Sequence, residues 1–205
     1  MHLPIRETLA LIIFFAFLGV IFYSLTAFAG PTQEEILKVA PTYLGIREHG
    51  DNRGVRVEKI LRNVGLDPGN PWCMALVYTI HKDAFENLRQ TNPVPKTGLA
   101  AAYWINANKR KLTFKTIPAQ QVLLGSKVEP ADVAIWRRGS FRNDGTFKGH
   151  AATVISQVDK KTFKSIDGNT GSDEGGDQGE GDGSFLKTRK LGVQKFLVMG
   201  FIRIR

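Results

Sequence analysis

The chain holds a single cysteine, Cys73, and four histidines, His2, His49, His81 and His150. A thiol with an imidazole in reach is a small and sufficient nucleophile: the ring takes the thiol proton, and a third polar group holds the ring in place. Asn70-Pro71 signals a helix start, asparagine being a good cap and proline fitting the first helical position. Cys73 then falls in the first turn, where free backbone N–H groups and the positive end of the helix dipole lower a thiol's pKa. The same residue shares an apolar face with Val77, Ile80, Ala84 and Leu88, the setting of an unreactive core cysteine. Position alone leaves both roles open, and the base decides between them.

His2 precedes a long apolar run and is excluded. His81 lies on the same helix as Cys73, about 12 Å further up its axis, too far for a hydrogen bond. His49 sits in the polar turn Arg47-Glu48-His49-Gly50-Asp51-Asn52, where nothing sets its distance. His150 follows Gly149 at the start of a strand, Ala151 to Val158, where an imidazole can project into a cleft while the strand fixes its position. It is the best base. Alternation puts His150, Ala152 and Val154 on one side, with the small Ala152 leaving space beside the ring. The next strand ends Ser165-Ile166-Asp167-Gly168-Asn169-Thr170, and antiparallel pairing through a turn near Asp159 to Lys161 returns that end to His150. Either Asp167 or Asn169 can then accept a bond from the far imidazole nitrogen and fix its tautomer. Taken alone, Asp-Gly-Asn reads as turn chemistry.

These residues need a scaffold, and the chain supplies two kinds. In the first half, Thr32-Gln33-Glu34-Glu35 opens like a capping box before Ile36, Leu37, Val39 and Ala40, with Pro41 ending or bending the turn. Val55 to Val64, Asn70 to Leu88 and Leu99 to Ala107 follow as further helices. In the second half the period changes. Asp132 to Trp136, Ala151 to Val158, Thr162 to Asp167, Ser184 to Arg189 and Val198 to Arg205 are short β-branched or aromatic runs between turn residues. Helices followed by strands predict an α+β domain, its N-terminal helices packed on a mainly antiparallel sheet. Gly168 to Gly183 is rich in glycine and acids; its spacing does not match an EF-hand loop, and a solvated loop is the expectation.

The 205 residues carry a net charge of +9 and 42% hydrophobic residues, a normal globular balance that excludes wholesale disorder and fibrous repeats. One cysteine excludes an intrachain disulfide framework and a thiolate-rich metal site. Leu9 to Ala29 is apolar without a single charge and about as long as a bilayer core. Ala27-Phe28-Ala29 before Gly30 also has the small-x-small form of a signal cleavage site. Residues 1–30 are therefore a cleaved export signal or a retained single-pass anchor, and both place residues 31–205 outside the cytoplasm, in the cell envelope or secreted. Arg6 and Glu7 cancel, so the whole positive charge belongs to the exported domain.

Four stretches taken in order resemble a known family. Pro71-Trp72-Cys73-Met74-Ala75-Leu76-Val77, Pro130-Ala131-Asp132-Val133-Ala134-Ile135-Trp136, Gly149-His150-Ala151-Ala152-Thr153-Val154 and Ile166-Asp167-Gly168-Asn169-Thr170 look like the ordered motifs of CHAP (cysteine, histidine-dependent amidohydrolase/peptidase) domains. The likeness runs from about Tyr43-Leu44-Gly45 to the C-terminus. It implies a papain-like fold and an amide hydrolase acting on peptidoglycan. It further implies Cys73 as nucleophile, His150 as base and then acid, and Asn169 or Asp167 as orienter. Members often carry glutamate where this chain has Asp167, and Ala131 stands where a glycine is frequent. The Cys73 backbone N–H is a natural oxyanion donor, and Trp72 either floors the cleft against substrate or packs in the core. The chemistry needs no metal and no organic cofactor.

Peptidoglycan is the partner this resemblance implies, cut as an endopeptidase or at the sugar–peptide amide. Lys109-Arg110-Lys111, Arg137-Arg138 and Lys187 to Lys190 are either solvated faces or contacts to anionic wall polymer or lipid headgroups. Nucleic acid is not expected, since the chain lacks the basic-aromatic strand pattern of common RNA modules. The rival class is a membrane-anchored, non-catalytic wall-binding or scaffold domain on the same fold, with Cys73 buried and inert.

Overall fold

Apolar residues recur every three or four positions up to Lys109 and alternate after it. The computed structural model, which describes residues 31–172, 181–192 and 197–205, follows that division. Four helices come first: α1 (Pro31–Val39), α2 (Val55–Asn63), α3 (Cys73–Asn87) and α4 (Ala100–Lys109), with a 3-10 turn over Ala40–Tyr43. Then come β1 (Phe114–Pro118), the short α5 (Ala119–Leu123), β2 (Val133–Arg138), β3 (Lys148–Gln157), β4 (Thr162–Thr170), β5 (Gly183–Lys190) and β6 (Leu197–Ile204). The six strands form one sheet in the order β1-β6-β2-β3-β4-β5, every neighbouring pair antiparallel. The α+β expectation holds. Among the described residues no helix is long and apolar enough to cross a membrane. Leu9 to Ala29, read as signal or anchor, lies outside the described residues.

The sheet is buried on both sides. Val133, Ile135, Ala151 and Ile202 face Met74 and Val77 of α3 and Ala101 and Tyr103 of α4. Their alternates Ala134, Trp136, Ala152, Val154 and Phe201 form a second core with Phe163. Strands stand about 4.8 Å apart, so β6 and β4, three places apart, would be about 14 Å apart in a flat sheet. Yet the Phe201 and Phe163 rings meet with centroids 5.1 Å apart. The sheet curls, and this second core is its concave interior.

Three local expectations fail for identifiable reasons. Thr32 lies inside α1 and does not cap it. Asn70 and Pro71 precede α3, whose N-cap is Trp72, and the Asn70 amide bonds Asp67 instead. The helix start is set by a contact 97 positions away, where the Trp72 N–H donates to Asn169 Oδ1. β1 and α5 escape the sequence patterns because Lys115, Thr116 and Pro118 interrupt any apolar run. An edge strand tolerates such residues, and β1 pairs only with β6.

Candidate active site

α3 can bring its first residue to the sheet because β4 gives way there. Asp167 pairs with Phe185 and Thr170 with Gly183, so β4 has one more residue than β5 over this stretch. That bulge puts Asn169 in the left-handed region, φ 54°, and turns its side chain toward the helix start. Gly168 permits the approach: a Cβ there would lie 2.7 Å from both Leu76 Cδ2 and Trp72 Cζ3. Glu48 ties the corner together. Its Oε1 accepts the Trp72 indole N–H at 2.7 Å and the Asn169 amide at 3.4 Å, and its Oε2 accepts the Asn52 N–H at 2.7 Å.

Inside the curled sheet, His150 occupies the centre of a polar chain. Ala152 pairs with Asp167 across β3 and β4, so His150, two residues earlier, is the diagonal neighbour of that carboxylate. His150 Nε2 lies 2.8 Å from Asp167 Oδ2, and both side chains are fully buried. On the other flank Trp136 of β2 pairs with His150, its ring centroid 5.3 Å from the imidazole. Asp167 has further donors. Arg189 of β5 gives two hydrogen bonds to Oδ2, from Nη2 at 2.7 Å and Nε at 3.2 Å, and the Ser165 hydroxyl donates to Oδ1 at 2.5 Å.

The charges follow from these contacts. Burial alone would raise the Asp167 pKa; Arg189, the His150 ring and Ser165 overcome it and hold the carboxyl down to about 2. An ionised Asp167 only accepts, so Nε2 carries the ring proton, and Nδ1 is left as the acceptor in the neutral ring. Nδ1 has no hydrogen-bond partner, and the ring and the Cys73 sulfur each favour the other's charged form. Burial opposes charge on both groups, but each is favoured by the other. The thiol is lowered by His150, by the Ala151 backbone N–H and by Arg138, while the imidazole is raised by Cys73 and Asp167. Both shifts favour a thiolate–imidazolium pair at the first residue of a helix, beside the N–H groups that a helix start leaves unpartnered.

Of the residues singled out from sequence, Cys73, His150 and Asp167 come together. Asn169 joins the site in another role: it holds the Trp72 backbone and does not touch the ring, so the orienter is Asp167. Trp72 has no exposed surface and packs in the core beneath α3, the second of its two expected places and not the cleft floor. His81 is buried against its own helix, Nδ1 bonded to the Val77 carbonyl. His49 is exposed on its turn. The basic run Lys187 to Lys190 is a solvated face only in part, with Lys190 exposed. Lys187 and Arg189 are buried, the former donating to the Gly171 carbonyl at 2.8 Å, while Leu186 between them and Ser184 is half exposed. This inversion hid Arg189 from a reading based on apolar alternation; Glu48 and Ser165 carried no signal beyond their residue types, and Trp136 entered only as the last residue of a motif.

The arrangement can generate a sulfur nucleophile, hold a proton at Nδ1 for a leaving group, and offer backbone N–H groups to a developing oxyanion. Among the described residues no group of three or more His, Cys, Asp and Glu side chains is placed to hold a metal ion. No family model matches the chain, and neither the curated proteins nor the solved structures contain a match.

Proposed function

We propose that this protein is a cysteine hydrolase of amide bonds, papain-like in fold and CHAP-like in its motifs, acting on peptidoglycan in the cell envelope. The observation that carries the chemistry is the hydrogen bond from His150 to the fully buried Asp167, with the same ring lowering the pKa of the Cys73 thiol. The substrate rests on the ordered motifs and on the positive charge of the exported part, which suits an anionic wall.

In this reading the Cys73 thiolate adds to a peptide carbonyl carbon, and the oxygen takes up the charge beside the Cys73 backbone N–H. Collapse breaks the C–N bond, His150 Nδ1–H protonates the departing amine, and a thioester remains on Cys73. Nδ1, now free, takes a proton from water as that water attacks the thioester, releasing the carboxylic acid and restoring the thiolate–imidazolium pair. Asp167 holds the ring throughout and keeps its charge.

The test is mass spectrometry of fragments released from purified sacculi by the full-length protein and by Cys73→Ala. Hydrolysis by the wild type, absent in a folded Cys73→Ala, supports the reading. New amines on cross-bridge residues would name an endopeptidase, and freed lactyl groups an amidase. A folded wild type that binds sacculi and releases nothing, indistinguishable from Cys73→Ala, would identify a wall-binding scaffold instead.

A further inference from the structure

We propose that Arg189 is a positioning residue of this relay: from β5 it clamps Oδ2 of Asp167 with two donors, keeping that carboxylate ionised and aimed at His150. The inference rests on the hydrolase reading of Cys73 and assigns a role to a side chain outside the four ordered motifs.

The geometry is not that of an incidental contact. Arg189 pairs with Phe163, four residues before Asp167 on β4, so its side chain must run along the sheet to reach the carboxylate. It does so with its guanidinium carbon 5.8 Å from the Trp136 ring centroid, the same ring that flanks His150. The pair is closed from solvent, with 2% of the arginine side chain exposed and none of the aspartate.

An aspartate so buried with no cation beside it favours the neutral acid. A neutral Asp167 would present an O–H to Nε2, and the ring proton would move to Nδ1, where the thiol needs an acceptor. The guanidinium prevents that exchange. With it in place the charges of Cys73, His150, Asp167 and Arg189 sum to zero in the active form. The other groups facing the cluster are Arg138 at the end of β2, which also favours the thiolate, and Lys187 on β5, bonded to Gly171.

Cys73 is the only cysteine, so thiolate absorbance near 240 nm and the rate of alkylation by iodoacetamide report this site alone. The experiment follows both from pH 4 to 8 in full-length wild type, Arg189→Met, Arg189→Lys, Asp167→Asn and the double variant, with Cys73→Ser as blank. Arg189→Met should lose on the order of tenfold in thiolate at the acid end of the profile, equivalent to displacing the midpoint by about one pH unit. Arg189→Lys, which keeps the charge, should recover most of it. Because Arg189 acts through Asp167, adding Arg189→Met to Asp167→Asn should change nothing further. That comparison also serves if the single variant fails to fold, since the double variant leaves no buried charge unpaired. A folded Arg189→Met with the wild-type profile, or an equal effect of Arg189→Met in both backgrounds, overturns the proposal and leaves the hydrolase reading standing. A wild-type thiol that titrates only in the ordinary thiol range overturns both.

Discussion

Replacing Asp167 with asparagine tests the electrostatic core of the site while leaving its shape. Oδ2 accepts from His150 and twice from Arg189, whereas Oδ1 accepts only from the Ser165 hydroxyl. An asparagine therefore keeps its oxygen toward His150 and Arg189 and turns its NH2 to Ser165, which can accept as readily as donate. The tautomer of His150 survives and only the charge is lost. The Asp167 carboxyl is held at about 2 against an ordinary 3.8. That gap is worth about 2–3 kcal/mol at roughly 1.4 kcal/mol per pKa unit. Arg189 and Ser165 hold part of that gap and His150 the rest, so by linkage the thiolate–imidazolium population should fall on the order of tenfold at pH 6. The assay is the alkylation rate of Cys73 across pH 4 to 9, with the initial rate of fragment release from sacculi measured beside it. Both should drop together. The variant also strands Arg189 in the interior, a loss of about 3–5 kcal/mol, which urea denaturation will register and which adding Arg189→Met should largely reverse. Asp167→Asn with an unchanged alkylation profile and unchanged hydrolysis would refute the claim that a buried carboxylate governs the thiol.

Acid stability gives a second test of the same group. A carboxyl depressed on folding stabilises fully above its unfolded value and loses that contribution as pH falls through about 2; the wild-type advantage over Asp167→Asn in urea should therefore shrink between pH 4 and 2. His81 works in a different window. Burial holds its imidazole down to about 4 against 6.5, so it stabilises the fold above 6.5 and loses about 3 kcal/mol as pH falls from there to 4. His81→Leu should flatten the stability curve in that range without altering alkylation of Cys73, and a curve as steep as the wild type's would contradict this. Gly168→Ala would drive a Cβ to 2.7 Å from Leu76 and Trp72, which should lower stability by about 1–3 kcal/mol and slow Cys73 alkylation by displacing the start of α3; an unperturbed melt and rate would show that the approach is looser than described. Glu48→Ala, which frees the Trp72 indole and the Asn169 amide, should lower the thermal midpoint while Cys73→Ala should not.

Much of the site was readable before folding was considered. Residue type and strand alternation were enough to select Cys73 and His150 and to bring the end of the next strand beside the ring, because those relations are local or pass through one short turn. What the linear pattern left open was decided by contacts between distant positions. Asp167 and Asn169 differ by two residues on one strand, and only the bulge, which no composition rule announces, turns one toward His150 and the other toward Trp72. The start of α3 moved to Cys73 for the same reason, since the donor Trp72 N–H found its acceptor on β4 rather than in a neighbouring side chain. Arg189 and Lys187 were legible only as surface charge, because apolar alternation presumes an apolar interior. The curled sheet has a polar end inside it, where a carboxylate, an imidazole and a guanidinium satisfy one another, and such mutual satisfaction exists only once three strands are side by side.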